Sequence, residues 1–228
     1  MKHLIETANP SGLAITEYDR IILNSTTNDV IVGGGVTYEY VDLGLSVKWA
    51  KCNVGAKTET DYGSYFMWGS TRPNTADECT WENAPFLNGP SNKFTKYCTD
   101  SSYGAVDNIE TLEFVDDAAR VIMGGNWRMP TQTECRELIN GTTNEWTKVN
   151  GVDGWKFTSS NGNSIFIPAA GAYSGGSADL VGECGFVWSS SLYASGPGNA
   201  CNLYFYSDSC YVDYGSRYYG VSVRGVCE

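Results

Sequence analysis

Residues 188–227 read W-S-S-S-L-Y-A-S-G-P-G-N-A-C-N-L-Y-F-Y-S-D-S-C-Y-V-D-Y-G-S-R-Y-Y-G-V-S-V-R-G-V-C, and two kinds of residue are interleaved along this segment. One kind is Tyr, Ser, Gly, Asn, Asp and Cys, a mixture close to that of antibody paratopes. The other kind is an apolar frame, which consists of Trp188, Leu203, Phe205, Val212, Val221, Val223 and Val226. The segment is therefore predicted to be a binding face held on a rigid scaffold.

The alternation of apolar and polar residues in this segment has a period of two, which is typical of strands with one buried side. It predicts four strands, at 186–190, 202–206, 210–214 and 219–226. Leu203 and Phe205 should point into the core. Asn202, Tyr204 and Tyr206 should then point outward together.

Composition limits the class of protein. A chain of 228 residues with 42% apolar residues is long enough for one packed domain and a short appendage. Its 26 glycines favour a loop-rich, largely β architecture. The net charge of -11 argues against nucleic acid as a partner, and no apolar run reaches membrane-spanning length.

The eight cysteines are scattered and form no C-x-x-C pair. This spacing does not support a zinc site, and it favours free thiols over a disulfide framework. We predict neither a metal nor a cofactor. The N-terminus, M-K-H-L-I-E-T-A-N-P, shows no apolar core of a secretion signal.

The chain divides into two predicted units. Residues 1–36 are predicted to be a tether or assembly segment, with two short strands between residues 15 and 32 and a hinge at the three glycines 33–35. Residues 37–228 are predicted to be the main domain. Its variable binding region is placed at about 188–224.

Within the main domain, the sequence predicts two strands around a turn at Gly44, with Val47 and Trp49 buried, and an aromatic strand in 61–69. Residues 70–108 are predicted to be loops lying over the core, held by four aromatic residues: Trp81, Phe86, Phe94 and Tyr97.

Two helices and a hairpin complete the predicted domain. One helix lies in 113–125, where Asp116 and Asp117 favour its N-terminus. The other lies in 129–141, with a capping box from Thr131 to Glu134 and Gly141 just beyond its end. Trp127 and Met129 should link the helices through the core, and the Asn-Gly turn at 161–162 predicts a hairpin.

A family resemblance extends over residues 38–227. The motifs Y-V-D-L-G-L-S-V-K-W-A, D-Y-G-S-Y-F-M-W-G, G-G-N-W-R-M-P-T-Q-T-E, I-F-I-P-A-A-G, W-S-S-S-L and R-Y-Y-G-V-S-V-R occur in order. Together they resemble the C-type-lectin-fold variable proteins of gut bacteria and their phages, which are related in fold to formylglycine-generating enzymes. The resemblance implies an α+β fold of two helices packed on twisted antiparallel sheets with long loops. It also implies that a diversity-generating retroelement rewrites the C-terminal block.

In such systems template adenines are miscopied, so an AAC or AAT codon can become many codons but never one for Trp, Met, Gln, Lys or Glu. None of these five residues occurs from 189 to 227, where about five or six would be expected from the whole-chain frequency. A surface hairpin that simply favours Tyr, Ser and Gly is the alternative explanation. The predicted ligand-binding positions are Tyr193, Ser195, Gly196, Asn199, Cys201, Asn202, Tyr204, Tyr206, Ser207, Asp208, Ser209, Cys210, Tyr211, Asp213, Tyr214, Gly215 and Ser216.

The predicted partner is a protein or glycan on a target cell surface, with no nucleic acid and no membrane insertion. A phage tail is the favoured location, where a trimer would be reasonable, and a bacterial cell surface is the alternative. A non-diversified adhesin or pilus-like component would share the binding role.

Two other functions are disfavoured. The only histidine, His3, lies outside the main domain, and Cys227 has no second thiol at an obvious spacing for a formylglycine-generating oxidase. Calcium-dependent lectin motifs such as E-P-N, Q-P-D and W-N-D are missing. We therefore predict that the chain is not an enzyme.

Overall fold

The computed structural model describes residues 31–33, 36–89 and 92–228. The two strands predicted between residues 15 and 32 lie almost entirely outside them, as do Gly34 and Gly35 of the predicted hinge. Strand β1 (Ile31–Gly33) pairs antiparallel with β2 (Val36–Tyr38). The tether role of residues 1–36 stays a prediction.

The described residues form seventeen strands in six sheets and two α-helices. The helices are α1 (Ala118–Met123) and α2 (Gln132–Gly141). This mixture, mostly sheet with two helices, confirms the predicted α+β class. The strands after β2 are β3 (Tyr40–Val41), β4 (Lys48–Ala50), β5 (Tyr65–Phe66), β6 (Leu87–Asn88), β7 (Lys93–Phe94), β8 (Thr143–Val149), β9 (Val152–Thr158), β10 (Ser164–Pro168), β11 (Ala172–Ser174), β12 (Ser177–Asp179), β13 (Cys184–Leu192), β14 (Asn199–Tyr206), β15 (Ser209–Ser216), β16 (Val221–Ser222) and β17 (Val226–Cys227).

The largest sheet has the strand order β15-β14-β13-β16-β5. Neighbouring strands in this sheet pair antiparallel, except for β13 and β16, which are parallel where Val187 lies opposite Ser222. The expectation of purely antiparallel sheets is wrong at this pair, because the chain passes from edge strand β15 to the other side of β13. Strands β13, β14 and β15 hold most of the predicted binding segment.

The strand predicted at 219–226 is divided between two sheets. Strand β16 joins the largest sheet, and β17 joins β4 and β3 in a separate one. Between them, the carbonyl oxygens of Val223 and Gly225 accept hydrogen bonds from the amides of Val54 and Ala50, both at 2.8 Å. The backbone between β16 and β17 therefore remains hydrogen-bonded. For this reason the alternation of apolar and polar residues continues although the chain passes from one sheet to another.

Arg224 lies in this break and is fully buried. Its guanidinium donates to Asn53 Oδ1 at 2.9 Å, to the carbonyl oxygens of Ala50 and Lys51 at 2.9 and 2.6 Å, and to that of Phe166 at 3.0 Å. Burial lowers the pKa of Arg224 to about 10. These hydrogen bonds connect the C-terminal segment to the end of β4, to the residues after it and to β10.

Two apolar clusters lie on opposite sides of the largest sheet. One contains Trp68, Trp127 and Trp188, and the other contains Leu203 and Phe205 together with β8–β10 and α2. The predicted burial of Val47, Trp49, Trp127 and Met129 is confirmed, as is that of Leu203 and Phe205. The largest sheet therefore has a core on each side along part of its length.

Helix α2 begins as predicted and ends one residue later. Thr131 Oγ1 accepts from the Glu134 amide at 3.2 Å, and Glu134 Oε2 accepts from the Thr131 amide at 2.7 Å. Gly141 is the last helical residue rather than the first beyond the helix. The Thr142 hydroxyl donates to the Leu138 carbonyl at 2.6 Å, so a free carbonyl at the helix end is satisfied without a left-handed glycine.

Helix α1 is capped by one of its two predicted aspartates. Asp117 Oδ1 accepts from the Arg120 amide at 2.9 Å, and Gly124 ends the helix with φ of 69°. Asp116 instead accepts hydrogen bonds from Lys96 and from the Tyr97 hydroxyl, both at 2.5 Å. The two neighbouring aspartates therefore have different structural roles.

The predicted turns and loops are mostly confirmed. Strands β3 and β4 pair around Gly44, and β9 and β10 pair around the Asn-Gly turn at 161–162. A second Asn-Gly turn at 150–151 joins β8 to β9 and was not predicted, although both residues have the positive φ of a hairpin turn. In the loops of residues 70–108, Phe94 and Tyr97 are fully buried, and Trp81 and Phe86 are half-buried.

Candidate ligand-binding surface

Strands β14 and β15 carry most of the predicted positions, and their register assigns each residue to a face. The outer face carries Asn202, Tyr204, Tyr206, Ser209, Tyr211, Asp213 and Gly215, and the helix face, which α2 covers, carries Asn199, Cys201, Leu203, Phe205, Cys210, Val212, Tyr214 and Ser216. The predicted site therefore falls on both sides of one hairpin. Because β15 is the edge of its sheet, side chains from both faces meet solvent along it.

An aromatic cluster occupies the outer face. The rings of Tyr204 and Phe186 stack with centroids 4.7 Å apart. Tyr211 meets Tyr204 edge-on at 5.2 Å, and Tyr206 lies 5.6 Å from it. Tyr204 is the half-buried centre of this cluster, and burial raises its pKa. Tyr211 is 41% exposed, so the cluster presents a broad ring surface to solvent.

The turn between β14 and β15 is the most polar part of the surface. Ser207 and Asp208 are exposed at its tip, and the pair Tyr206–Ser209 closes it. Asp213 lies further along the outer face, opposite Asn202. The tip and Asp213 thus add two carboxylates beside the aromatic rings.

Asn202 is a correction to the predicted outward set, because it is only 3% exposed. It lies opposite Trp188, whose indole nitrogen donates to the Phe66 carbonyl at 2.8 Å. The core around Trp68 and Trp188 therefore covers this end of the outer face. Tyr204 and Tyr206, two and four residues further along, lie beyond that cover and are half-exposed.

The two cysteines of the predicted set lie on the helix face. Cys201 is 5% exposed and its Sγ lies 3.7 Å from Gln132 Oε1 of α2, so it cannot contact a ligand directly. Cys210 is half-buried, and burial raises the pKa of its thiol to about 12. All eight cysteines lie in the described part of the chain, and none of them is in a disulfide there.

A second exposed patch forms where the loop after β13 meets the far end of β15. The rings of Tyr193 and Tyr214 stack at 4.0 Å with planes 8° apart, and Tyr214 is 50% exposed. Ser195 is exposed, and Asn199 is half-buried beside Ser216. Gly196 is buried, and its amide donates to the Tyr193 carbonyl to shape the loop.

Arg217 positions this loop, and sequence reasoning missed it. The fully buried guanidinium donates to the Tyr97 and Pro197 carbonyl oxygens, both at 3.1 Å. It lies 4.0 Å from the Phe94 ring centroid and 4.7 Å from that of Trp68. Burial lowers the pKa of Arg217 to about 9. The signal in the sequence was an arginine within an otherwise aromatic and small-residue segment.

The surface ends at a cleft of about 500 Å³ beside the tip of the hairpin. It is lined by Tyr204, Tyr206 and Ser207 of the hairpin, by Trp146 and Asp153, and by Gly182–Cys184. Trp146, Asp153 and Gly182–Cys184 lie outside the predicted set. Sequence reasoning missed them because they are distant in the chain.

Two further findings concern chemistry. Among the described residues, no three His, Cys, Asp or Glu side chains are arranged to hold a metal ion. Cys227, the thiol considered for oxidase chemistry, is 1% exposed. In the described part of the chain, neither helix is long and apolar enough to cross a membrane.

The fold and the surface define an α+β domain with a tyrosine-rich edge hairpin. Comparisons of the chain with protein-family models, with curated protein sequences and with solved structures found no match. The membership implied by the sequence motifs therefore stays a proposal.

Proposed function

We propose that this protein binds a ligand or receptor on a target cell through the β14–β15 hairpin, and that the domain has the C-type lectin fold. We further propose that a retroelement diversifies this surface. The ordered motifs over residues 38–227 support the family. The mixture of two helices, mostly antiparallel sheets and long loops agrees with what that fold implies.

The observation that carries the proposal is the difference in burial between neighbouring residues of β14. Leu203 and Phe205 are 0% exposed, whereas Tyr204 and Tyr206 reach solvent. A varied surface needs a scaffold that stays folded when the varied side chains change. Here the buried residues that hold the hairpin alternate with solvent-facing ones that a ligand can contact.

Tyrosine suits the solvent-facing positions. It offers a large amphipathic contact area at a small entropic cost, and Ser, Gly and Asn adapt around it. The two most exposed tyrosines of the hairpin, Tyr211 and Tyr214, lie on opposite faces of the edge strand. We therefore propose that the ligand contacts β15 along its edge.

The environment of Asn202 supports the proposal that residues of this segment were not selected for packing. Its Oδ1 is buried and has no hydrogen-bond partner in the described chain. Such an atom costs about 1–3 kcal/mol. Asparagine is the unmutated reading of an AAC or AAT codon, so an unfavourable Asn at this position agrees with a diversified segment. In this proposal the contact surface is narrower than the set of varied positions.

A phage tail is the proposed location of the protein, with a bacterial cell surface as the alternative. Both place the hairpin where it meets another cell. A static adhesin would use the same surface, and differs from the diversified protein in genetics and location. The DNA beside the gene separates the two. A near-repeat of the 3′ end next to a reverse transcriptase, differing at adenines, is expected, and its absence would leave the static adhesin.

The binding role is tested with exposed aromatic residues. Tyr211→Ala combined with Tyr214→Ala should remove binding to a panel of gut bacterial cells, measured by flow cytometry with fluorescent protein. Phe114→Ala is the matched control, since Phe114 is 58% exposed and lies outside the hairpin. Equal binding by wild type and the double variant, on cells that bind wild type, would refute the hairpin as the contact surface.

A further inference from the structure

The cleft beside the hairpin tip combines aromatic walls with acidic groups. Trp146 of β8 and the half-buried Tyr204 and Tyr206 of β14 supply the rings. Trp146 is fixed by edge-on packing against Trp155 at 6.2 Å and Phe205 at 6.4 Å. The rings of the cleft are therefore attached to the core rather than free in solvent.

Two carboxylates line the same cleft. Glu183 is exposed at its rim, and Asp153 lies on β9. Asp153 Oδ2 forms an ion pair with Lys148 Nζ at 3.0 Å, across the hairpin that joins β8 and β9. The Lys148 side chain is 58% exposed, so this pair contributes little to stability and can exchange its cation.

We propose that this cleft receives the ammonium or guanidinium group of a lysine or arginine side chain on a polypeptide partner. The inference rests on the proposed binding function and names the class of ligand for one part of that surface. Aromatic faces attract cations, and the carboxylates give the attraction its sign and specificity. The bound cation displaces Lys148 from Asp153.

A polypeptide is favoured over a free amine because exposed apolar side chains lie beside residues of the cleft. Leu180 and Val181 are 46% and 41% exposed and precede the cleft residues Gly182–Cys184 directly in the chain. Tyr204, which also lines the cleft, meets the exposed Tyr211 edge-on at 5.2 Å. A partner that fills the cleft with one side chain can cover these neighbours as well.

The cleft is lined both by residues that we propose stay constant and by residues that we propose vary. Trp146, Asp153 and Glu183 lie outside the segment proposed to vary, and Tyr204, Tyr206 and Ser207 lie inside it. The preference for a cation is therefore a constant property of the scaffold. The varied residues adjust what surrounds the bound side chain.

The first experiment titrates the full-length protein with short capped peptides and follows the Trp146 indole N–H by NMR, assigned with Trp146→Phe. The probes are a hexapeptide with one central lysine, the same peptide with norleucine, and n-butylammonium. The lysine peptide should shift the Trp146 signal, and the norleucine peptide should not. Equal shifts from both peptides would refute recognition of the charge. Equal affinity for n-butylammonium and the lysine peptide would refute the polypeptide.

The second experiment compares variants with the lysine peptide. Glu183→Gln and Asp153→Asn should each weaken binding about threefold, and Lys148→Gln should tighten it by a similar factor because Asp153 is released. Glu82→Gln, which removes one exposed carboxylate elsewhere, is the control for net charge. A weakening by Glu82→Gln equal to that by Glu183→Gln would reduce the effect to the overall charge and overturn the proposal.

Failure of this inference differs from failure of the proposed function. If no probe shifts Trp146 while Tyr211→Ala and Tyr214→Ala abolish cell binding, the cleft alone is rejected. If the lysine peptide binds but those tyrosines are irrelevant to cell binding, the cleft stands and the hairpin paratope is rejected. Raised salt should weaken the lysine-peptide titration, since it screens exposed charges.

Discussion

The two faces of the β14–β15 hairpin differ in what their side chains do, although they share one backbone. On the helix face, Leu203 and Phe205 pack against α2 and β8–β10. On the outer face, Tyr206 and Tyr211 pack against Tyr204, and Tyr204 stacks on Phe186. Neighbouring residues of one strand can therefore serve folding and recognition separately. Variants on the two faces measure how complete this separation is.

The largest expected effect comes from the helix face. Phe205→Ala should lower the free energy of unfolding by about 3–5 kcal/mol, because its ring is buried between Trp146, Trp155 and the backbone of Gly185. Urea denaturation measures it. Tyr211→Ala on the outer face is the partner variant, expected within about 0.5 kcal/mol of wild type. Similar losses for both would erase the distinction between the faces.

Arg217 tests whether the separation extends to the loop at the far end of the hairpin. Arg217→Ala should cost about 2–4 kcal/mol, because it removes two hydrogen bonds and the ring contacts with Phe94 and Trp68. Arg217→Lys should not restore stability, since an ammonium does not reproduce the planar stacking. Thermal denaturation of both, with the neighbouring Ser216→Ala as control, decides it. Full rescue by lysine would show that the charge alone matters.

Helix α2, which covers the helix face, provides a pH test. Burial would raise the pKa of Glu134, but the hydrogen bonds from Arg128 and Thr131 outweigh it, so the pKa lies below the ordinary 4.5. A lowered carboxyl pKa stabilises the fold above the unfolded value, and this stability is lost as pH falls through the folded value. Wild type should exceed Glu134→Gln by about 1–2 kcal/mol at pH 7. The gap should narrow below pH 4.5, and a gap independent of pH would contradict the charged pair.

The smallest effect concerns Asn202, which belongs to the outer face by register but is buried. Asn202→Ala should raise stability by about 1 kcal/mol, because the buried Oδ1 without a partner is removed. Chemical denaturation with Asp213→Ala, the residue opposite, as control would measure the gain. A loss of stability would show that the carboxamide contributes to the fold.

The sequence predicted the elements whose signals are local. The capping box of α2, the turn at Gly44 and the inward side of β14 follow from neighbouring residues, and the structure confirms them. The Asn-Gly turn at 150–151, which joins β8 to β9, carries the same kind of local signal.

Other features depend on contacts between distant residues. Alternation gives the side of a strand on which Asn202 lies, but not that residues around Phe66 and Trp68 cover that end of the sheet. Arg217 and Arg224 are buried, whereas arginine is usually exposed. Their charge alone therefore indicates the opposite of what the structure shows. The cleft requires Trp146 and Glu183 to meet the hairpin, and no spacing in the sequence indicates that meeting.

The most direct test of the separation is a pair of display libraries selected by protease resistance and read by sequencing. One library randomises Tyr204, Tyr206, Ser209, Tyr211 and Asp213 with codons derived from AAC and AAT, and the other randomises Val187, Leu203, Phe205, Val212 and Val226 identically. We predict that most clones of the first library remain folded, whereas the second is reduced to apolar or near-wild-type residues. Equal depletion of both libraries would contradict a surface whose residues can vary without loss of the fold.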